Sequence, residues 1–302
     1  MDFLHGYIYS RWIYFYIRTG VGRSFPARAL AQLRSLFRAL SGGPSQGTLS
    51  ERSDGLGTVK NLEDMAASPE FADTYHGKVV SLNAARQLVM VNEPVSLPAL
   101  EHIIPYRKAR DIILQNPDHI AVLDCPCRMA RENPCLPLDV CLVVGEPFAS
   151  FVLDHQPKHA RRITQEEAVS ILQAEDERGH VHHAFFKDAM LGRFYAICNC
   201  CSCCCGALQA HLHGTPMLLS SGYIAEVDEK SCLLCGSCEA VCQFQAISMS
   251  ETSAVIDHFR CMGCGVCISH CDAGALTLFR APEKGAPLEI QNLIESMDTC
   301  MS

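Results

Sequence analysis

Apolar positions along this chain change their period several times, and each change marks an element or a boundary. Between Pro26 and Leu40, residues Leu30, Leu33, Phe37 and Leu40 share one helical face, with Arg28, Arg34 and Arg38 mostly off it. Upstream, Phe3, Tyr7, Tyr9, Trp12, Tyr14, Phe15 and Tyr16 crowd a stretch interrupted by His5, Ser10 and Arg11. That stretch is too short to span a bilayer. Residues 1–42 therefore read as an amphipathic, aromatic and basic helical arm, suited to a membrane surface or to packing on a protein partner. Residues 43–60 lose the period, are rich in Gly, Ser and Pro, and read as a linker.

From residue 61 to 220 strand-like and helix-like patterns alternate. Val79–Val91 and Ile120–Leu123 are apolar runs expected to be strands. Pro105–Gln115 sets Ala109, Ile112 and Ile113 in a helical pattern that stops before Asn116-Pro117. A helix is predicted from Thr164, with Thr164 and Glu167 as a capping box and Ala168, Ile171 and Leu172 as its apolar stripe, ending near Arg178-Gly179. Val181–Phe186 follows as a strand, so that helix, turn and strand form a candidate winged-helix fragment. His180 and His182 would share one face of that strand and His183 the other. Beyond residue 221, the short stretches Gly222–Glu226, Ala254–Asp257 and Ala275–Phe279 are β-prone and would close a small antiparallel sheet. The fold class expected is α+β. Its parts are the N-terminal amphipathic helices, a separate α/β cysteine-rich domain over residues 61–220, a small domain over 221–282 and a tail over 283–302.

Composition narrows the function. With 302 residues and 48% apolar content, the chain can build a real core in about two domains. Nineteen cysteines would signal disulfides in a short secreted protein. This start lacks the basic region and small-residue cleavage site of a signal peptide, so a reducing cytoplasmic setting is expected, with the arm placing the protein peripherally on the membrane. The net charge is −8, yet residues 1–42 carry Arg11, Arg18, Arg23, Arg28, Arg34 and Arg38 against Asp2 alone. An acidic body argues against nucleic acid as a partner and suits docking on basic patches of a redox donor and acceptor. No phosphate loop, dinucleotide fingerprint or nucleophile elbow is present.

Two runs carry the clearest chemistry. Cys232-Leu-Leu-Cys235-Gly-Ser-Cys238-Glu-Ala-Val-Cys242 repeats as Cys261-Met-Gly-Cys264-Gly-Val-Cys267-Ile-Ser-His-Cys271, and the match extends to Ala246/Ala275 and Ile247/Leu276. Three cysteines two residues apart wrap a turn around one cubane, and a fourth points across to its neighbour. Gly236 and Gly265 leave room for backbone to approach inorganic sulfide. The stretch from about Tyr223 to Arg280 resembles the bacterial-type ferredoxin with two [4Fe–4S] clusters. The resemblance implies one cluster on Cys232, Cys235, Cys238 and Cys271 and another on Cys261, Cys264, Cys267 and Cys242. Gln243 and Asp272 stand where that family usually has proline, a departure that bears on reduction potential. Paired Cys-x-x-Cys motifs also suit zinc, but two full four-cysteine runs in tandem favour clusters.

A second thiol-rich set precedes it: Cys125, Cys127, Cys135, Cys141, Cys198, Cys200, Cys201, Cys203, Cys204 and Cys205. Adjacent side chains point in different directions, so the six thiols of residues 198–205 are not expected all to serve one metal, nor neighbours among them to reach a common centre; the ten together suffice for two four-ligand sites. The pattern Cys-x-Cys-Arg followed by Cys-Asn-Cys-Cys-x-Cys-Cys resembles uncharacterised iron–sulfur proteins of anaerobic bacteria, over about residues 75–210. One or two additional iron–sulfur clusters, a zinc site, and redox-switching thiols beside Arg128 or Arg131 are the readings of this set. Cys125, Cys127, Cys198, Cys200 and Cys201 are the first candidates as ligands, and Cys300 reads as a bystander. The expected function is electron transfer through two [4Fe–4S] clusters and further clusters in the central domain. Its rivals are an oxidoreductase whose central cluster binds substrate, and a redox sensor or cluster carrier.

Overall fold

The computed structural model describes residues 69–301, Ala99 excepted; the arm, the linker and the start of the central region lie outside the described residues. Residues 66–302 form one compact unit. In chain order the elements are α1 (Pro69–Thr74), β1 (Tyr75–Val80), α2 (Leu82–Val89), β2 (Val95–Leu97) and β3 (Ile112–Asp124). Then come α3 (Pro126–Met129), β4 (Asp139–Glu146), α4 (Phe148–His155), β5 (Ala160–Ile163), α5 (Gln165–Glu177), β6 (Val181–Lys187) and β7 (Arg193–Cys200). After α6 (Gly206–Leu212) and β8 (Leu218–Leu219) the thiol repeat spans β9 (Tyr223–Val227), α7 (Ser237–Val241), β10 (Ile247–Met249), β11 (Ala254–Ile256), α8 (Val266–Ser269) and β12 (Leu276–Arg280). The last element is α9 (Ile290–Met301).

One sheet organises the central region, in the order β2-β3-β4-β7-β6-β1-β8 with β5 paired to β3. Every pairing between its strands is antiparallel except β1 with β8, so this region is α+β rather than α/β. Alternation along the strands divides two cores. Ala184, Phe186, Leu142, Val144 and Ile197 join the residues of α2 and α5 in one of them. Val181, Phe185, Val79 and Cys200 join the other, which they share with Phe244, Ala246, Ile247, Val266 and Leu276 of the C-terminal repeat. The repeat is thus packed directly on the sheet. In the segment read as a tail, Leu288 and Ile290 are buried in the first core.

Several local expectations are met and others corrected. Thr164 caps α5, its Oγ1 accepting from the Glu167 amide at 3.2 Å, and Arg178 ends that helix. β6 follows as expected, but it sits inside the large sheet, so α5 and β6 are not a winged-helix fragment. The Val79–Val91 run is not one strand. Ser81 caps α2, its Oγ accepting from Ala84 N at 3.3 Å, and Ala84, Ala85, Leu88 and Val89 follow a helical period. Nor is Pro105–Gln115 a helix. Ile112 and Leu114 are buried in β3, where the register shifts between Gln115 and Ile120 around the positive φ of Asn116.

The repeat itself contains two short antiparallel pairs, β9 with β12 and β10 with β11. Gly236 and Gly265 precede α7 and α8 with φ of 75° and 87°. Left-handed backbone at the start of each helix is what demands glycine there.

Candidate metal centres

Each half of the repeat surrounds a cavity, and the two cavities exchange a cysteine. The first is lined by Cys232, Cys235, Cys238 and Cys271 and encloses about 340 Å³, part of it open to solvent. The second is lined by Cys261, Cys264, Cys267 and Cys242 and encloses about 360 Å³. Apolar side chains complete the walls, among them Leu233, Met249 and Leu276 around the first and Phe244, Met262 and Leu278 around the second.

The crossing thiols are held alike. Ala246 N donates to Cys242 Sγ and Ala275 N to Cys271 Sγ, both at 3.3 Å, at positions equivalent in the repeat. Ala225 N also points at Cys261 Sγ at 3.5 Å. Amides aimed at sulfur favour the thiolate, and around iron they raise the potential. Burial works the other way: desolvation first, then Cys261, Cys242 and Cys238, push the Cys267 thiol up to about 12. A bound cation reverses that balance and takes the proton off.

The ten central thiols separate into a six and a four. The six are Cys125, Cys127, Cys141, Cys198, Cys200 and Cys205. Leu142 lies opposite Ile197 in the β4–β7 pair, and the same register brings Cys141 to Cys198. Cys125 caps the start of α3 and Cys127 lies within it, and Cys205 caps the start of α6. Hydrogen bonds from Cys127 and then Cys141 pull the Cys125 thiol down to about 2. Cys205 donates to Cys200, yet burial and the neighbouring Cys198, Cys127 and Cys125 leave Cys200 at about 12. The phenols of Tyr75 and Tyr195 lie against this group, and both are held well above their usual range: burial first, then Tyr195 and the thiols, for Tyr75, and burial first, then Cys198, for Tyr195, against which a hydrogen bond from Tyr75 works.

The four are Cys135, Cys201, Cys203 and Cys204, whose sulfurs all lie within 4.8 Å of one another. Among the described residues they are the one group of ligand atoms gathered this closely. Adjacent cysteines do reach a common centre here, against expectation. Strand β7 ends at Cys200, and residues 201–204 form a tight turn in which alternation no longer applies. The first five candidates are accordingly split: Cys125, Cys127, Cys198 and Cys200 belong to the six, and Cys201 to the four. Cys135 could not be assigned from sequence because the loop after α3 brings it in.

Between the two groups runs a buried polar network. Arg128, 1% exposed, donates from Nη2 to Glu175 Oε2 at 2.5 Å and to the Asn199 carbonyl at 3.2 Å, and from Nη1 to the Pro137 carbonyl. His180 Nδ1 lies 2.7 Å from the same Glu175 oxygen, and Arg178 donates to the other at 3.1 Å. Burial opposes ionisation of Glu175, but His180 and Arg128 outweigh it and keep its carboxyl below the ordinary value. Cys125 and Cys201 both lie near enough to favour the Arg128 cation.

The intervening Asn199 faces away from Cys198 and Cys200. Its Oδ1 is 2.6 Å from His182 Nδ1, and its Nδ2 donates to the Val140 carbonyl at 2.7 Å. His180 and His182 lie with α5, as Glu175 and Asp176 contacts show, whereas His183 packs edge-on to Phe244 in the other core. The side chain of Cys300 lies outside the described residues.

Gln243, in place of the proline expected by resemblance, ties the repeat to the four-thiol turn. Its Oε1 accepts from Ser202 N at 2.7 Å and its Nε2 donates to the Gly179 carbonyl at 2.9 Å. No curated protein matches the chain. Residues 231–275 match the family model of the 4Fe-4S dicluster domain, so that the C-terminal segment is an iron–sulfur domain of the ferredoxin type.

Proposed function

We propose that the protein transfers single electrons through two [4Fe–4S] clusters in its C-terminal domain and through further metal centres in the central region. The observation that carries this reading is the crossed pair of cavities, each lined by three cysteines of one run and the fourth of the other. The residues fit the group in donor set and in amides directed at sulfur. Cys232, Cys235, Cys238 and Cys271 would hold one cluster, and Cys261, Cys264, Cys267 and Cys242 the other. Bound clusters supply one-electron redox chemistry. The chain contributes the thiolates, apolar walls that limit water, and the hydrogen bonds that tune potential.

Redox proteins are the partners this reading requires. The arm over residues 1–42 is the segment to hold the molecule at the cytoplasmic membrane face or on a membrane subunit. Among the described residues no helix is long and apolar enough to cross a membrane.

The test is electron paramagnetic resonance of the reduced, anaerobically prepared protein. Cys235→Ser and Cys264→Ser should each remove or convert one cluster signal and abolish the magnetic coupling between the two. Retention of both native signals in either variant refutes the assignment.

A further inference from the structure

The division of the central thiols says what kind of metal one group takes. We propose that Cys135, Cys201, Cys203 and Cys204 hold one tetrahedral ion, iron or zinc, and not a multi-iron cluster. The inference goes beyond the C-terminal assignment and does not rest on it.

Distance decides between the two. Cys135 and Cys203 sulfurs are 3.2 Å apart, Cys201 and Cys203 3.3 Å, Cys203 and Cys204 3.7 Å, and Cys135 and Cys201 3.8 Å. Four thiolates bound at about 2.3 Å form a tetrahedron with edges of about 3.8 Å. These four separations sit at and below that edge and the other two lie within 4.8 Å, so small shifts admit one ion at the centre. A four-iron core instead sets a separate iron behind each thiolate, with sulfides between the irons, and spreads the thiolates well beyond contact. In neither C-terminal quartet do three sulfurs gather within 4.8 Å of one another, in contrast to this group. Sulfur-only tetrahedral sites select zinc or iron.

The backbone is fixed in this shape from outside the thiols. Arg131 donates from Nε and Nη2 to the Cys204 carbonyl at 3.2 and 3.0 Å. Gln209 Nε2 donates to the Ser202 and Cys203 carbonyls at 3.2 and 3.0 Å, and Ser202 N donates to Gln243. Cys135 N is directed at Cys204 Sγ at 3.5 Å. The turn is therefore held by side chains that are not ligands, and the Cys135 loop meets it at Cys204 Sγ.

The experiment compares full-length wild type with Cys203→Ser and Cys135→Ser, all prepared without air, for iron, zinc and acid-labile sulfide. Cys203 is exposed and Cys135 lies on a separate loop, so a folding defect in one variant need not recur in the other. Each variant should lose about one metal ion per chain while sulfide stays at the wild-type level. If the ion is iron, a high-spin ferric signal disappears from the oxidised protein. If it is zinc, one zinc is lost and the spectra do not change. Loss of several irons together with sulfide in both variants, or no change in metal, overturns the proposal. Failure of the C-terminal assignment would look different, since wild type itself would lack the sulfide of two clusters.

Discussion

Gly263 and Leu234 occupy equivalent places in the two cysteine runs, and both have positive φ, 63° and 56°. Only one of them has room for a side chain. A Cβ on Gly263 would lie 2.1 Å from the Tyr223 carbonyl oxygen and 2.4 Å from Ser221 Oγ. Gly263→Ala should therefore destabilise the protein by roughly 3 kcal/mol or more. Leu234 is half exposed, so Leu234→Gly relieves a strained backbone and should be neutral or gain up to about 1 kcal/mol. Paired melting curves check both, and equal responses would contradict the asymmetry. Arg128 is the other residue whose loss should be costly. Arg128→Met leaves Glu175 buried beside His180 with its main cation gone, a change of about 3 kcal/mol or more. For a chain of this size that is a fall in melting temperature of roughly 6–12 °C. The double variant Arg128→Met/Glu175→Gln should recover part of it, and no recovery would mean that packing rather than charge is lost.

At the scale of elements, buried histidines on the paired strands β6 and β1 give the fold a pH dependence. His183 is fully buried, and burial first, then His182 and His211, lowers it to about 3. His76 on β1 is buried too and lowered to about 4, again by burial first. Both are held neutral in the native state, whereas the unfolded chain binds protons below about 6.5. Since the unfolded state then binds more protons, stability must fall as pH drops from about 6.5 toward 4. His183→Leu should flatten that slope between pH 6.5 and 5 in urea unfolding; an unchanged slope would place the effect elsewhere.

The elements also show which features were legible in the sequence. The helix from Thr164 was, because its cap and stripe agree. The crossed lining of the two cavities follows what the resemblance to two-cluster ferredoxins implies, which is what pairs Cys271 with the first run and Cys242 with the second; spacing by itself gives only the two runs. The Val79–Val91 run was misread because two apolar periods meet at Ser81, where a hydroxyl turns strand into helix. The four-thiol site was not legible, because it depends on a turn where alternation ends and on a loop that returns after α3.

For the whole molecule, the decisive feature is that the C-terminal repeat and the sheet have one core in common. Phe185, Val181 and Val79 on the sheet and Phe244, Ile247 and Val266 in the repeat are buried together. The chain then returns to the sheet's other core through Leu288 and Ile290. A fragment ending at residue 220 would lose both covers and expose that apolar surface to water. We expect it to be insoluble or to bind the dye ANS strongly, and a monomeric fragment with cooperative melting would show that the sheet stands alone.

Welding of this kind has a consequence for how the protein meets its partners. An electron carrier on a hinge can load at one place and swing to another to discharge. Here Gln243 latches the first cysteine run to the sheet's outgoing turn, and the return of Ile290 bolts the far end. On the proposed electron-transfer role, donor and acceptor would each come to a stationary outlet of their own, as plugs come to a wall.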